Sequence, residues 1–163
     1  MSGLHAGLSP DPATMRTVMG HFATGVAVIT ATHDGEPVGL AANSFTSVSL
    51  DPPLVLFCVA TSSSTWPRIE AAGRFCVNFL GEDAEQTCRV FASPGDRFAQ
   101  VAWHPGVTGA PVLDDALAYA DCETEAIHAG GDHVIVVGRV VELGHREGKP
   151  LCFYRGGYGR FVQ

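Results

Sequence analysis

The 163-residue sequence predicts a mainly β protein, a closed or nearly closed antiparallel barrel with a few short helices. Two observations carry this. Six or seven short runs read as strands, many rich in β-branched residues and several bounded by turn-forming Gly, Pro, Asn or Asp. Most of these runs follow one another with no helix between them, which argues against the strand–helix alternation of a doubly wound sheet. No internal repeat and no linker divides the chain, so residues 1–10 are read as a flexible lead-in and 11–163 as one domain.

The elements follow in order. Asp11-Pro12 supplies a helix cap with proline at the first helical position, and a short helix is expected to reach His21 or Phe22. Residues 26–32 and 37–42 flank Asp34-Gly35 and predict a hairpin. Segment 43–51 is polar and is expected to be irregular. Asp51-Pro52-Pro53 then forces an extended or turn conformation before a strand at 54–60. Ser62 to Thr65 followed by Trp66-Pro67 predicts a capped helix at 65–72. A strand at 74–80 and a helix at 83–91 come next, the latter with Glu82 and Asp83 at its positive end. Residues 92–116 are rich in Gly and Pro and read as a long loop. Strands are expected at 117–127, 132–143 and 151–154, the last followed by Gly156-Gly157-Tyr158.

Composition narrows the function. Hydrophobic residues make up 46% and charged residues 17%, a globular balance with few charges, consistent with surface covered by a partner subunit. A formal charge of −7 and the lack of any Lys/Arg run argue against nucleic acid or an anionic membrane as partner. No apolar run approaches the ~20 residues of a membrane helix, and the N-terminus does not read as a signal peptide. The five cysteines are odd in number and widely spaced, with no C-x-x-C, and read as reduced thiols of a cytoplasmic protein.

Several chemistries are not signalled. No G-x-G-x-x-G follows a strand, and no nucleophile elbow or H-E-x-x-H occurs. Residues 144–149 imitate a P-loop but are one residue short, and Pro150 stands where Ser or Thr is required. The histidines include no i, i+4 pair, so no metal site is expected.

What is present suits a planar heteroaromatic ligand with a polar edge and a phosphate tail. Asn43, Ser44 and Ser47 alternate with Phe45 and Val48 and can hydrogen-bond such an edge, although a polar loop bonding its own backbone gives the same pattern. Ser62 to Thr65 can hold a phosphate, or can simply cap the helix. His133 opens a strand after Gly130-Gly131-Asp132, and in a pocket it can hold a nicotinamide amide or assist proton movement.

The segments MRTVMGHFATGVAVITA, GLAANSFTSVSLDPPLVLFCV, GRFCVNFL, GAPVLDDALAYADCE, GGDHVIVVGRVVEL and PLCFYRGGYGRF occur in that order and span residues 15–161. Together they resemble the short-chain flavin reductases of the FMN-binding split-barrel family, the reductase components of two-component flavin monooxygenases. The chain departs from that pattern at Leu40 and Ala41, where Met and Thr are expected. The resemblance implies a six-stranded antiparallel Greek-key barrel that is homodimeric. It implies reduction of FMN or FAD by NADH or NADPH, with the reduced flavin diffusing to a separate oxygenase. It further implies that Asn43, Ser44, Ser47, Val48 and Ser49 contact the isoalloxazine and that Thr24, Gly25 and Val26 lie near its reactive edge. Ser64 and Thr65 are expected to hold the phosphate, Arg97, Phe98 and Tyr158 to join the pocket, and His133 to stand where nicotinamide stacks. The alternatives are a barrel whose retained flavin oxidises an organic substrate directly, and a non-catalytic flavin-binding module.

Overall fold

The computed structural model describes residues 3–163. Residues 3–10 form no helix or strand; the lead-in predicted for 1–10 begins with two residues outside the described ones. Asp11 caps α1 (Pro12–Met19), its carboxylate accepting from the Thr14 amide at 2.9 Å and the Thr14 hydroxyl at 3.1 Å. The helix stops at Met19, short of residues 21–22. Gly20 caps it, and the Gly20 carbonyl accepts from the Arg155 amide, which ties the chain to its far end.

β1 (Thr24–Gly25) leads into the predicted hairpin, β2 (Ala27–His33) and β3 (Glu36–Ala42). Asp34 and Gly35 both have positive φ, 50° and 76°, the turn whose twist matches that of the flanking strands. The segment expected to be irregular contains β4 (Thr46–Leu50), which pairs antiparallel with β5 (Pro53–Ala60) and bulges around Val48. Its Ser and Thr side chains mimic a loop in sequence, but the backbone pairs along an exposed sheet edge, where such side chains are tolerated.

α2 (Trp66–Ala72), β6 (Arg74–Leu80) and α3 (Glu85–Phe91) lie close to their predicted places. Within the predicted long loop the chain forms β7 (Trp103–Pro105) and β8 (Pro111–Leu113), a small hairpin. Buried side chains of the barrel hold it. The Thr30 hydroxyl donates to the Pro111 carbonyl at 2.5 Å, and the Asn78 side-chain oxygen accepts from the Leu113 amide at 2.9 Å. β9 (Ala116–Gly130) and β10 (His133–His145) form a long antiparallel pair. β11 (Leu151–Tyr154) is followed by β12 (Gly157–Arg160), a strand that its glycines conceal in sequence.

The main sheet runs β3-β2-β6-β9-β10-β5-β4, seven strands where the resemblance implied six. β3 and β5 approach each other across its open side, so the sheet curls into a split barrel. Its core is formed by Ile29, Phe57, Phe75, Val77 and Val136, all fully buried. A second, three-stranded sheet, β1-β11-β12, packs with α3 around Val26, Val28, Cys88 and Leu151.

Candidate functional site

Ser44 sits at the split. Its hydroxyl accepts from the Cys58 amide at 2.9 Å and donates to the Cys58 carbonyl at 2.8 Å. A side chain thus does what a neighbouring strand does elsewhere along β5, and it ties the end of β3 to β5 where β4 has stopped pairing. Next to it, Asn43 is exposed and its amide has no hydrogen-bond partner among the described residues.

Asn43 and Ser44 open onto a cleft of about 1050 Å³ that Ser63 and His133 also line. The far wall is α1, through Met15, Arg16 and Met19. Sequence reasoning missed this wall because it read α1 only for its cap. The i, i+4 spacing of Met15 and Met19, which sets both on one helix face, was the available signal. His133 Nδ1 lies 2.7 Å from Asp132 Oδ1, a hydrogen bond that holds the Asp132 carboxyl below the usual carboxylate range. The Asp132 carbonyl in turn accepts from the Thr61 amide and hydroxyl at 2.9 and 3.1 Å, which anchors the start of β10 beside the end of β5.

A second, polar cleft of about 410 Å³ is lined by Ser64, Thr65, Arg97 and Phe98, together with Glu36, Arg68 and Asp96. The Thr65 side chain does not cap α2; Ser63 does, accepting from the Trp66 amide at 3.2 Å. The Thr65 hydroxyl instead accepts from Arg97 Nη1 at 3.2 Å, and the same nitrogen donates to the Gly39 carbonyl at 2.7 Å. Gly39 and Ser64 border this cleft while Leu40 and Ser63 border the larger one, so the two run together along β3.

Thr24, Gly25 and Val26 border a smaller cavity of about 160 Å³, which meets the larger cleft at Ala42 and Asn43. The Thr24 hydroxyl is buried there with no partner among the described residues. Tyr158 lies behind, in an apolar pocket of about 180 Å³ that also touches Asn43. Its hydroxyl is 3.2 Å from Cys88 Sγ, and that contact, with burial, pushes the phenol up to about 12. Phe98 packs its ring on Phe91 and Trp103. Ser47, Val48 and Ser49 lie on β4 and border none of these four cavities. The structure therefore sets Asn43, Ser44 and His133 on the larger cleft, Thr24, Gly25 and Val26 on the cavity that adjoins it at Ala42 and Asn43, and Ser64, Thr65, Arg97 and Phe98 on the polar cleft beside it. β4 stays apart.

The donor set fits a flavin. The unbonded Asn43 amide stands on the cleft for a polar ring edge, the orphaned Thr24 hydroxyl lies in the cavity that adjoins it, methionines and alanines wall the cleft, and hydroxyls with a guanidinium stand where the groove turns polar. The family model for the flavin reductase like domain matches residues 19–161, and the chain belongs to that family. It is 49% identical over 150 residues to the reductase subunit HsaB of a flavin-dependent monooxygenase from Rhodococcus jostii, covering 91% of this chain and 77% of that protein. It is 43% identical to the FMN reductase (NADH) SmoA of Agrobacterium fabrum, with 91% and 85% covered. Among solved structures, the NADH:FAD oxidoreductase SgcE6 of Streptomyces globisporus superposes with a TM-score of 0.93 at 37% identity, covering 100% of this chain and 95% of that one.

Proposed function

We propose that this chain is an NAD(P)H:flavin oxidoreductase that supplies reduced FMN or FAD to a separate flavin-dependent oxygenase. One observation carries the reading: Asn43, Ser44 and His133 line a cleft that runs along β3 into a polar one lined by Ser64, Thr65 and Arg97. Bound flavin accepts a hydride from reduced nicotinamide, and that redox chemistry belongs to the coenzymes.

The chain supplies binding and orientation. Asn43 would bond the polar edge of the ring, Thr24 would back it from the adjoining cavity, and Met15 and Met19 would shield it from water. Gly25 and Val26 leave room beside the ring, and Tyr158 backs the pocket. Ser64, Thr65 and Arg97 hold the phosphate, with Phe98 bracing the loop that carries Arg97. Ser44 keeps the split at its width. Ser47, Val48 and Ser49 reach the flavin only if it extends past the split toward β4. His133 has Nδ1 engaged by Asp132, which leaves Nε2 to orient the nicotinamide carboxamide.

No described helix is long and apolar enough to cross a membrane. All five cysteines are unpaired thiols, which supports a cytoplasmic setting. Met15, Val18, Met19 and Phe22 expose apolar surface on and after α1, which supports a homodimer that covers this helix.

The test is oxidation of NADH and NADPH by purified protein with and without added FMN, FAD or riboflavin. Turnover that depends on added flavin is expected. Failure to oxidise either nucleotide with any of the three overturns the reading.

A further inference from the structure

We propose that the cleft between the β7–β8 hairpin and the far end of β10 is a second binding site, which takes a small hydroxyaryl carboxylate. It is separate from the cleft of Asn43 and His133. The two have no lining residue in common, and only Leu117 links them, as part of the cavity that Thr24 and Gly25 border. Its volume is about 240 Å³. An apolar cavity of roughly 150 Å³ holds a benzene ring, so this one has room for a ring with substituents. Val112 and Leu113 form a buried part of its wall, and Leu117 is half-buried beside them. Tyr119 pairs with Gly144 across β9 and β10, and a Cβ on Gly144 would overlap the Tyr119 ring. Glycine therefore lets that ring lie against the β10 backbone, where its hydroxyl donates to Glu142 Oε1 at 2.6 Å. A fixed aromatic ring among aliphatic side chains suits a flat apolar body.

The rim is polar and divided by element. From the hairpin, His104 Nδ1 lies 3.0 Å from Asp114 Oδ1. A carboxylate only accepts, so Nδ1 carries the proton, and Nε2 of the neutral ring is left as an acceptor suited to a phenolic hydroxyl. From the end of β10 come His145 and Arg146. The Arg146 amide donates to the Leu117 carbonyl at 2.9 Å, which fixes its backbone. Its guanidinium makes no hydrogen bond or ion pair among the described residues and can take a carboxylate through two parallel bonds. Gly144, His145 and Arg146 open the 144–149 run that imitates a P-loop. They stand at the end of a strand, with no helix N-terminus to receive a phosphate. Among the described residues His104, Asp114 and His145 form no cluster that could hold a metal ion. An acceptor from one element and a cation from another, over an apolar wall, match a ring that carries a hydroxyl and a carboxylate.

The test is calorimetric titration of the intact protein with meta- and para-hydroxybenzoate, and with benzoate and phenol as their two halves. At least one hydroxybenzoate is expected to bind at a single site per chain, roughly tenfold more tightly than benzoate or phenol. Arg146→Ala is expected to weaken the hydroxybenzoate and benzoate by roughly tenfold and to leave phenol unchanged. His104→Ala is expected to weaken the hydroxybenzoate and phenol and to leave benzoate unchanged. Both side chains are exposed, so both variants should fold and oxidise NADH with riboflavin at the wild-type rate. No binding of either isomer at millimolar concentration, or equal binding by wild type and both variants, overturns the proposal. So does displacement of the bound hydroxybenzoate by riboflavin, which places it in the flavin cleft instead.

Discussion

Asn43 and Ser44 are adjacent polar residues with different work. The Ser44 hydroxyl is spent on the backbone of Cys58, whereas the Asn43 amide faces the cleft unbonded. Ser44→Ala removes two hydrogen bonds and should cost about 1–3 kcal/mol of stability, read as a lower denaturant midpoint. Asn43→Ala should leave the midpoint within about 0.5 kcal/mol of wild type, as exposed substitutions do, while raising the flavin dissociation constant roughly tenfold by fluorescence titration. An unchanged flavin affinity in Asn43→Ala would remove that residue from the site. His133 presents the same distinction on the nicotinamide side. Hydride transfer needs no proton donor, so His133→Ala should raise the nicotinamide Michaelis constant or lower turnover and leave flavin affinity unchanged. Steady-state kinetics beside a flavin titration check both halves.

Among the elements, the β7–β8 hairpin shows what a composition of Gly and Pro conceals. Prolines at both ends and glycines between read as loop, yet the buried polar groups of β2 and β6 give its backbone partners. Asn78 alone bonds the Leu113 amide, the Val28 carbonyl at 3.1 Å and the Thr30 hydroxyl at 3.1 Å, all out of contact with water. Asn78→Ala leaves several of these groups unsatisfied and should destabilise the fold by at least about 2 kcal/mol, with hydrogen exchange accelerating first at residues 103–113. Protection there equal to wild type would show that the hairpin stands without this anchor. The hairpin β2–β3 was legible because Asp34-Gly35 is a local turn signal, and α1 because its cap is local. β4 was not, because a strand at an exposed edge needs a neighbour and sequence does not display neighbours.

Over the whole molecule, two tyrosines hold their protons beyond the ordinary range. A hydrogen bond to Glu142 pushes Tyr119 up to about 12, and the contact with Cys88 does the same for Tyr158. In the unfolded chain both ionise near pH 10, so between roughly pH 10 and 12 the folded state binds more protons than the unfolded one. Stability should therefore be flat with respect to these groups below that window and fall across it. Tyr119→Phe and Tyr158→Phe should each flatten the decline, followed as denaturation midpoint against pH. An equally steep decline in both variants would show that other groups, such as the buried thiols, govern it.

By itself the sequence determined the strand-dominated class, most strand and helix positions and, through its ordered motifs, the family, because turn signals, caps and alternating apolar residues act over a few positions of chain. The tertiary structure decided which polar residues serve the site. Ser44 became a brace, Thr65 a partner of Arg97, and α1 a wall, because each role depends on a group distant in sequence that only the curled sheet brings within hydrogen-bonding or packing distance.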